Sequence, residues 1–216
     1  MQYQFSSDWF SPHTPLWKEK LAIFSGMPDI QGLEIGSFEG RSAIWLLENI
    51  LTHPTSHLTC VDKFEMDSEF REICEKMKLS IPHDLNIEEC FDANILASGA
   101  SQRITKRRGA SNEVLRNLAL NSFDFIYIDG SHTTRNVLRD AVLSWDLLKL
   151  NGILIFDDYR WNPFEEDVLM GPKKAIDAFM ECFDGEYVLM HMDYQVMLRK
   201  THNIRDTVRS LSMRCT

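Results

Sequence analysis

Two apolar runs that end in acidic residues constrain the fold of this chain most strongly. They are "FDFIYID" at 123–129 and "GILIFDD" at 152–158. Such continuous apolar runs are typical of central strands in a parallel sheet, because helices cover both faces there. Between them, Val137 and Val142 belong to a set of apolar residues at helical spacing, which predicts a buried face on a helix of about four turns. The Asn-Gly pair at 151–152 predicts the end of that helix and the turn into the next strand.

Further strand candidates extend this strand–helix–strand unit into a sheet. Three precede it, at 32–36, 57–62 and 103–109. Two follow it, at 186–193 and 194–200, and they are so close in sequence that they must pair as an antiparallel hairpin. We therefore predict an α/β fold with a mainly parallel, seven-stranded sheet, helices on both faces and a C-terminal antiparallel hairpin.

The length of the chain fits one domain. Its 216 residues are 44% hydrophobic, which is enough to bury one core and too little for two ordinary domains. We predict a single domain over 1–200, with an aromatic-rich helical segment at 1–28. The segment 63–102 is long for a simple crossover, and we expect a helical insert that forms a lid or a substrate wall. A polar tail is predicted at 201–216.

Charge and cysteine content narrow the class of protein. The formal net charge of −9 argues against a nucleic-acid partner, because phosphate binding needs a basic surface. No window approaches the roughly 18 consecutive apolar residues of a membrane span. The five cysteines show no CxxC spacing, and "MQYQFSSDWFSPH" lacks the pattern of a secretory signal. We therefore expect a cytoplasmic protein with reduced thiols, and whether it forms a homo-oligomer stays open.

The stretch "LEIGSFEGRSAIWLL" at 33–47 reads as strand, glycine, three residues, glycine and helix. Gly36 permits a tight turn and the close approach of a ligand, and Gly40 permits close packing at the start of the helix. Asp62 ends the next strand, where an acid in nucleotide-binding folds accepts hydrogen bonds from ribose hydroxyls. Together with Glu34, this pattern favours an adenosine-containing ligand. It does not match GxGxxG, so a dinucleotide is disfavoured. In the alternative interpretation these residues only build a turn.

Asp129, Asp157 and Asp158 end the two apolar runs. If these strands are neighbours about 4.8 Å apart, the carboxylates meet at one edge of the sheet. A proton or a hard cation such as Mg²⁺ would relieve their repulsion. His132 follows the first run, and a neutral imidazole with a pKa near 6.5 can accept a proton from a bound hydroxyl. In the alternative interpretation, Asp129 caps the following helix, Asp158 faces solvent and His132 is an ordinary surface residue.

These motifs resemble those of the class I S-adenosylmethionine-dependent methyltransferases. "LEIGSFEGRSAIWLLENIL" resembles the first motif of the family, and "LTCVDKF" resembles the second. The combination of "IDGSH" with "FDDY" is similar to a subgroup that includes macrocin-type O-methyltransferases and cephalosporin-hydroxylase-like proteins. The resemblance covers about residues 30–200 and implies a Rossmann-like sheet.

The resemblance also implies roles for the matching positions. The residues that would bind S-adenosylmethionine are Glu34, Gly36, Ser37, Gly40, Asp62, Ser111 and Asp129. Among them, Glu34, Gly36 and Ser37 would line the methionine half, Asp62 would hold the ribose and Ser111 would lie near the adenine. The residues that would hold a divalent cation such as Mg²⁺ are Asp129, Asp157 and Asp158. His132 would act as the general base beside Asp129. No further acidic ligand can be named in the insert, so the need for a metal stays open.

We therefore expect an S-adenosylmethionine-dependent enzyme that carries out metal-assisted O-methylation of a hydroxylated small molecule such as a sugar or glycan. One alternative is an oxidoreductase or hydroxylase-like enzyme on the same fold. The missing dinucleotide fingerprint and the absence of a His-x-Asp pattern disfavour it. The other alternative is a cofactor-binding protein without catalysis. His132 and the acidic edge argue against it, because pure binding does not need them.

Overall fold

The computed structural model describes residues 2–82 and 84–202, so residues 203–216 of the predicted polar tail lie outside the described residues. Within the described ranges, seven strands form one sheet: β1 (Gln31–Ile35), β2 (His57–Asp62), β3 (Ile104–Arg108), β4 (Phe123–Ile128), β5 (Leu148–Phe156), β6 (Tyr187–Met192) and β7 (Val196–Lys200). The same ranges contain seven α-helices: α1 (Thr14–Lys20), α2 (Arg41–Asn49), α3 (Ser68–Met77), α4 (Ile87–Ala97), α5 (Ser111–Val114), α6 (Thr134–Leu147) and α7 (Lys173–Cys182).

The strand order is β3-β2-β1-β4-β5-β7-β6. The first five strands in this order are mutually parallel, whereas β7 pairs antiparallel with both β5 and β6. The predicted α/β fold and its C-terminal antiparallel hairpin are therefore confirmed. In particular, β4 and β5 are neighbours, so the acidic residues that follow them lie at one edge of the sheet.

Both faces of the sheet are covered, which explains the continuous apolar runs of β4 and β5. Because successive strand residues point to opposite faces, Phe125 and Tyr127 pack in one core and Ile126 in the other. The first core also contains side chains of α1, α2 and α4, and the second contains side chains of α6 and α7. The helices of both layers thus exclude water from the central strands.

The predicted turn at Asn151 and Gly152 is wrong. α6 ends at Leu147 and β5 begins at the next residue, so the Asn-Gly pair lies inside the strand. Asn151 adopts a positive φ of 67°, and the pairing of β4 with β5 shifts register between Phe123 and Phe125. The pair therefore forms an irregularity within the strand, because Asn tolerates the left-handed conformation that such a feature needs.

The predicted buried face of α6 is correct except at Val142. Val137, Ala141 and Trp145 are buried against the sheet, whereas Val142 is 43% exposed. Residue 142 lies about 100° around the helix from residue 141, which turns its side chain away from the core.

The N-terminal segment and the insert both contain helices that cover the sheet. In the N-terminal segment, Trp17 of α1 is fully buried. Its ring packs edge to face on the ring of Tyr127, with the two ring centroids 4.7 Å apart. The insert contains α3 and α4. No helix among the described residues is long and apolar enough to span a membrane.

Candidate active site

The glycine loop after β1 packs directly on the end of β4. Gly36 has a φ of 87°, and a Cβ atom added there would lie 1.9 Å from the carbonyl oxygen of Asp129. The Asp129 N–H donates to the Ile35 carbonyl at 2.8 Å. Gly36 is therefore required by the neighbouring backbone as well as by its own conformation.

Asp62 holds the glycine loop in place. Its Oδ2 atom accepts hydrogen bonds from the N–H groups of Ser37 and Phe38, at 2.7 and 2.8 Å. Its Oδ1 atom accepts a third bond from the N–H of Phe64 at 2.7 Å. A carboxylate has about four acceptor positions, so one stays available to a ribose hydroxyl. The ribose role of Asp62 stays a prediction, and its support of the loop is an additional role.

Glu34 lies beneath the loop, which differs from its expected position beside the methionine half of the cofactor. Its side chain is fully buried and accepts hydrogen bonds from Ser42 Oγ at 2.6 Å and from Cys60 Sγ at 3.5 Å. Burial raises the pKa of Glu34 to about 7, although the hydrogen bonds from Ser42 and Cys60 act in the opposite direction. Because its oxygens face β2 and α2, Glu34 supports the loop from below.

Asp129 and Asp157 share one hydroxyl group, that of Tyr127. This hydroxyl lies 2.8 Å from Asp129 Oδ2 and also donates to Asp157 Oδ2. Asp157 Oδ2 accepts a further bond from Gln195 Nε2 at 3.0 Å, and Trp17 Nε1 donates to Gln195 Oε1 at 2.8 Å. Burial and the other carboxylates raise the pKa of Asp129, and burial with the charge of Asp158 raises that of Asp157 to about 6.

Asp158 and His132 form the second pair of this acidic edge. His132 Nε2 lies 2.8 Å from Asp158 Oδ2, and the Tyr194 hydroxyl donates to Asp158 Oδ1 at 2.7 Å. Burial alone would lower the pKa of His132, but the hydrogen bond to Asp158 and the charges of Asp158, Glu69 and Asp157 together raise it above its usual value. Burial acts to raise the pKa of Asp158, and the bonds from His132 and Tyr194 bring it below its usual value.

Three of these groups could hold a metal ion together. Asp129, His132 and Asp158 offer ligand atoms that all lie within 4.8 Å of one another. Carboxylate oxygens suit Mg²⁺, and an imidazole beside them also suits transition metals. Asp157 does not belong to this set. Its Oδ1 accepts the N–H of Asp158 at 2.7 Å, and its Oδ2 is bonded as described above. The role of Asp157 as a metal ligand stays a prediction.

The insert contributes a residue that the sequence does not single out. Glu69 of α3 accepts a hydrogen bond from the N–H of His132 at 2.7 Å, and its two carboxylate oxygens lie 2.8 Å from Ser131 Oγ. This contact fixes the loop that carries His132 against α3. Glu69 is separated from this loop by about sixty residues of sequence, so no local motif reveals the contact.

Ser111 lies away from the acidic edge, after β3. Its Oγ atom donates to Asp140 of α6, at 2.7 Å from Oδ1 and 2.9 Å from Oδ2. Burial raises the pKa of Asp140 to about 6, although the hydrogen bond from Ser111 and the charge of Arg139 both act to lower it. The sequence does not point to Asp140, because it occupies an ordinary helical position.

One cavity of about 620 Å³ joins these features along the C-terminal edge of the parallel strands. This volume is within the usual range of small-molecule sites, and this edge is where open α/β sheets bind ligands. The residues named from the sequence that line it are Gly36, Ser37, Asp62, Ser111, Asp129, His132, Asp157 and Asp158. The structure thus places residues of the glycine loop and of the acidic edge around the same cavity. Glu34 and Gly40 do not line it.

The fold is shared with several solved methyltransferases. An O-methyltransferase from Bacillus cereus in complex with S-adenosylhomocysteine is 16% identical, with a TM-score of 0.64 over 92% of this chain and 84% of that one. The O-methyltransferase TomG from Streptomyces achromogenes, involved in tomaymycin synthesis and solved with S-adenosylmethionine, is 15% identical, with a TM-score of 0.62 over 90% and 82%. These likenesses show a common Rossmann-like fold.

The amino-acid sequence matches a known protein family. Residues 33–159, more than half of the chain, match the family model described as a methyltransferase domain. No curated protein sequence matches the chain. The matched range runs from β1 to just beyond β5 and contains both the glycine loop and the acidic edge. The resemblance inferred from the motifs is therefore confirmed: the chain belongs to this methyltransferase family and is an S-adenosylmethionine-dependent enzyme.

Proposed function

We propose that this enzyme transfers a methyl group to a hydroxyl of a small molecule, at the edge formed by Asp129, His132 and Asp158. The observation that carries the proposal is the 2.8 Å contact between His132 Nε2 and Asp158 Oδ2 at the wall of the cavity. An imidazole held by a carboxylate is suited to accept a proton from a hydroxyl.

Methyl transfer from a sulfonium needs alignment more than activation. The acceptor oxygen attacks the methyl carbon, the carbon–sulfur bond breaks and S-adenosylhomocysteine leaves. The protein therefore has to align the two reactants and remove the hydroxyl proton. In the proposed arrangement the glycine loop and Asp62 hold the cofactor, and His132 takes the proton while Asp158 stabilises the imidazolium.

The donor set also fits a divalent cation, which we propose as an aid to the reaction. Of the three residues that could hold a metal, Asp129 and Asp158 offer the oxygen ligands that Mg²⁺ prefers, and in the proposed arrangement His132 acts as the base and not as a ligand. When bound, such a cation would lower the pKa of an acceptor hydroxyl. The roles of Asp129 and Asp158 in this arrangement are to orient the acceptor and to keep the proton path toward His132 short.

The charge of the cavity supports an uncharged or cationic acceptor, such as a free sugar or an amino sugar. Among the residues that the structure describes, ten carboxylates and three Lys or Arg side chains line it. Two of those cations already contact carboxylates: Arg41 lies 3.4 Å from Asp8, and Lys63 lies 2.5 Å from Asp67. A cavity lined by one sign of charge repels ligands of that sign, so phosphate-linked acceptors are disfavoured.

The test is label transfer from S-[methyl-³H]adenosylmethionine to a panel of hydroxylated small molecules, with and without Mg²⁺. The variant His132→Ala should lose at least about two orders of magnitude in turnover, the usual contribution of a general base. Its affinity for S-adenosylhomocysteine, measured by calorimetry, should stay within about threefold, because the base contacts the acceptor side. His53→Ala is the control, because His53 is only partly buried and, among the described residues, its ring hydrogen-bonds to Thr55 alone. Unchanged turnover in His132→Ala would rule out the assigned role.

A further inference from the structure

The turn between β6 and β7 brings two hydrogen-bond donors onto the two acids that follow β5. β5 and β7 pair antiparallel, and the register of their last pair continues into the residues beyond it. This register places Asp157 opposite Gln195 and, one step further, Asp158 opposite Tyr194. Gln195 Nε2 accordingly donates to Asp157 Oδ2 at 3.0 Å. The Tyr194 hydroxyl donates to Asp158 Oδ1 at 2.7 Å.

The bond from Tyr194 leaves the other oxygen of Asp158 to the imidazole. Oδ1 accepts the phenol hydrogen, and Oδ2 lies 2.8 Å from His132 Nε2. The last torsion of an aspartate side chain is soft, and its rotation would turn the carboxylate oxygens away from the ring. A donor on Oδ1 opposes this rotation. Tyr194 and His132 together therefore fix the plane of the Asp158 carboxylate.

Tyr194 is itself held in place. Its ring stacks on the ring of His13, with the two centroids 5.5 Å apart and an angle of 17° between the planes. Its backbone carbonyl accepts a hydrogen bond from the N–H of Tyr159 at 2.8 Å. The phenol lines the cavity together with Asp158 and His132, whose side chains are 15% and 22% exposed. An anchored phenol thus supports this half-buried pair.

We propose that Tyr194 is a positioning residue for methyl transfer, which acts on His132 through Asp158. Because Asp158 accepts from Nε2, the single hydrogen of a neutral imidazole lies on Nε2, and Nδ1 keeps the lone pair. Without the phenol the carboxylate can turn away, and the ring then loses the contact that fixes its tautomer and its orientation. This inference rests on the proposed role of His132 as the base.

The test follows the Nε2 hydrogen of His132 directly. Two-dimensional ¹H–¹⁵N NMR of the histidine rings detects it in the full-length enzyme without added metal, and His132→Ala identifies the signal by its loss. Tyr194→Phe removes one oxygen atom and keeps the ring. Exchange of the Nε2 hydrogen with water should become about ten- to a hundredfold faster, the factor that corresponds to one hydrogen bond to a charged group.

Tyr159→Phe is the matched control, because the Tyr159 hydroxyl also donates to a carboxylate, that of Asp177, at 2.8 Å. Neither of these two residues is among the described residues that line the cavity. The control should leave the exchange rate of the His132 hydrogen within about twofold of the wild-type rate, since the two hydrogen bonds share no partner.

The label-transfer assay links this contact to the reaction. Tyr194→Phe should lower kcat by about tenfold and keep KM for S-adenosylmethionine within about threefold, because the proposed role concerns the base and not the cofactor. In the His132→Ala background, the same substitution should have no further effect. A residue that acts only through His132 has nothing left to position there.

The outcomes separate this inference from the proposed function. An unchanged exchange rate in Tyr194→Phe, or a wild-type enzyme without the protected hydrogen, would overturn the inference and leave the proposed function intact. A further loss of turnover in the double variant would also overturn it, since Tyr194 would then act on the acceptor itself. If His132→Ala keeps full turnover, the proposed function fails, and the role of Tyr194 in methyl transfer fails with it even when exchange becomes faster.

Discussion

The hydroxyl group of Tyr127 links two carboxylates of the acidic edge. Tyr127 is buried in the core, yet its hydroxyl lies between Asp129 and Asp157. Burial and both carboxylates raise the pKa of this phenol, so it keeps its proton and can donate. Gln195 adds a second donor to Asp157. The polar edge thus depends on groups that a view of the cavity surface alone does not reveal.

We expect Tyr127→Phe to lower the free energy of unfolding by about 1–3 kcal/mol, the usual cost of leaving buried acceptors without their donor. The ring packing against Trp17 stays the same, so the loss reports on the hydroxyl. Urea-induced unfolding monitored by circular dichroism measures it. Tyr187→Phe is the control, because the Tyr187 hydroxyl donates to the Met180 carbonyl at 3.1 Å and Tyr187 is less buried than Tyr127. Equal losses in the two variants would contradict this interpretation.

At the scale of whole elements, β1 and α2 meet through a buried carboxyl group. Glu34 of β1 accepts a hydrogen bond from Ser42 of α2 at 2.6 Å, directly below the glycine loop. Its pKa of about 7 in the folded protein, against about 4.5 in an unfolded chain, means that the folded state binds the proton more tightly. The stabilising contribution of this group is therefore complete below about pH 4.5 and decreases as the pH rises through about 7.

Glu34→Gln removes this titration and keeps the shape of the side chain. The free energy of unfolding of the variant, relative to that of the wild type, should rise between about pH 5 and about pH 8, by at most about 3 kcal/mol. Urea unfolding at the two pH values, without cofactor, measures the change. Glu72→Gln, at an exposed position of α3, should show no such change. A difference between Glu34→Gln and wild type that stays constant with pH would show that Glu34 does not titrate in this range.

The elements are more predictable from the sequence than the contacts between them. The strands follow from apolar patterns, and the meeting of Asp129 with Asp157 follows from the rule that parallel strands end at one edge. The position of Asn151 inside β5 does not follow, because an Asn-Gly pair suits a turn and a strand irregularity equally well. The contact of Glu69 with His132 and that of Ser111 with Asp140 depend on how distant helices pack, which no local pattern records.

At the scale of the molecule, negative charge dominates both the chain and its cavity. The net charge is −9, and within the described ranges the carboxylates that line the cavity outnumber the Lys and Arg side chains by ten to three. This arrangement suits a sulfonium cofactor, which is a cation. An acceptor has to enter the same negative electrostatic potential. The aromatic rings of Trp9, Phe38 and Phe70, which line the cavity, offer it an apolar surface.

We expect the acceptor side to bind glucosamine and glucose more strongly than glucuronate, three sugars with the same ring and different charge. Saturation-transfer NMR with S-adenosylhomocysteine present measures the order, and added salt should reduce the difference. Glu65→Lys, at the exposed wall of the cavity, should increase glucuronate binding, whereas Glu75→Lys, on α3 but outside the cavity lining, should not. Preferential binding of glucuronate by the wild type, or binding of none of the three, would contradict an uncharged or cationic sugar acceptor.

The hydrogen-bonded chain from Trp17 through Gln195 to Asp157 has a consequence for the synthesis of the protein. Trp17 and Gln195 lie 178 residues apart in the sequence, yet both belong to the hydrogen-bonded chain that ends at the same carboxylate. The glycine loop and Asp62 can assemble while the chain is still growing, but the acidic edge stays incomplete until β7 inserts beside β5. We therefore expect the glycine loop to form earlier than the acidic edge during synthesis, because the bonds that hold Asp157 need residues from both ends of this long stretch of sequence.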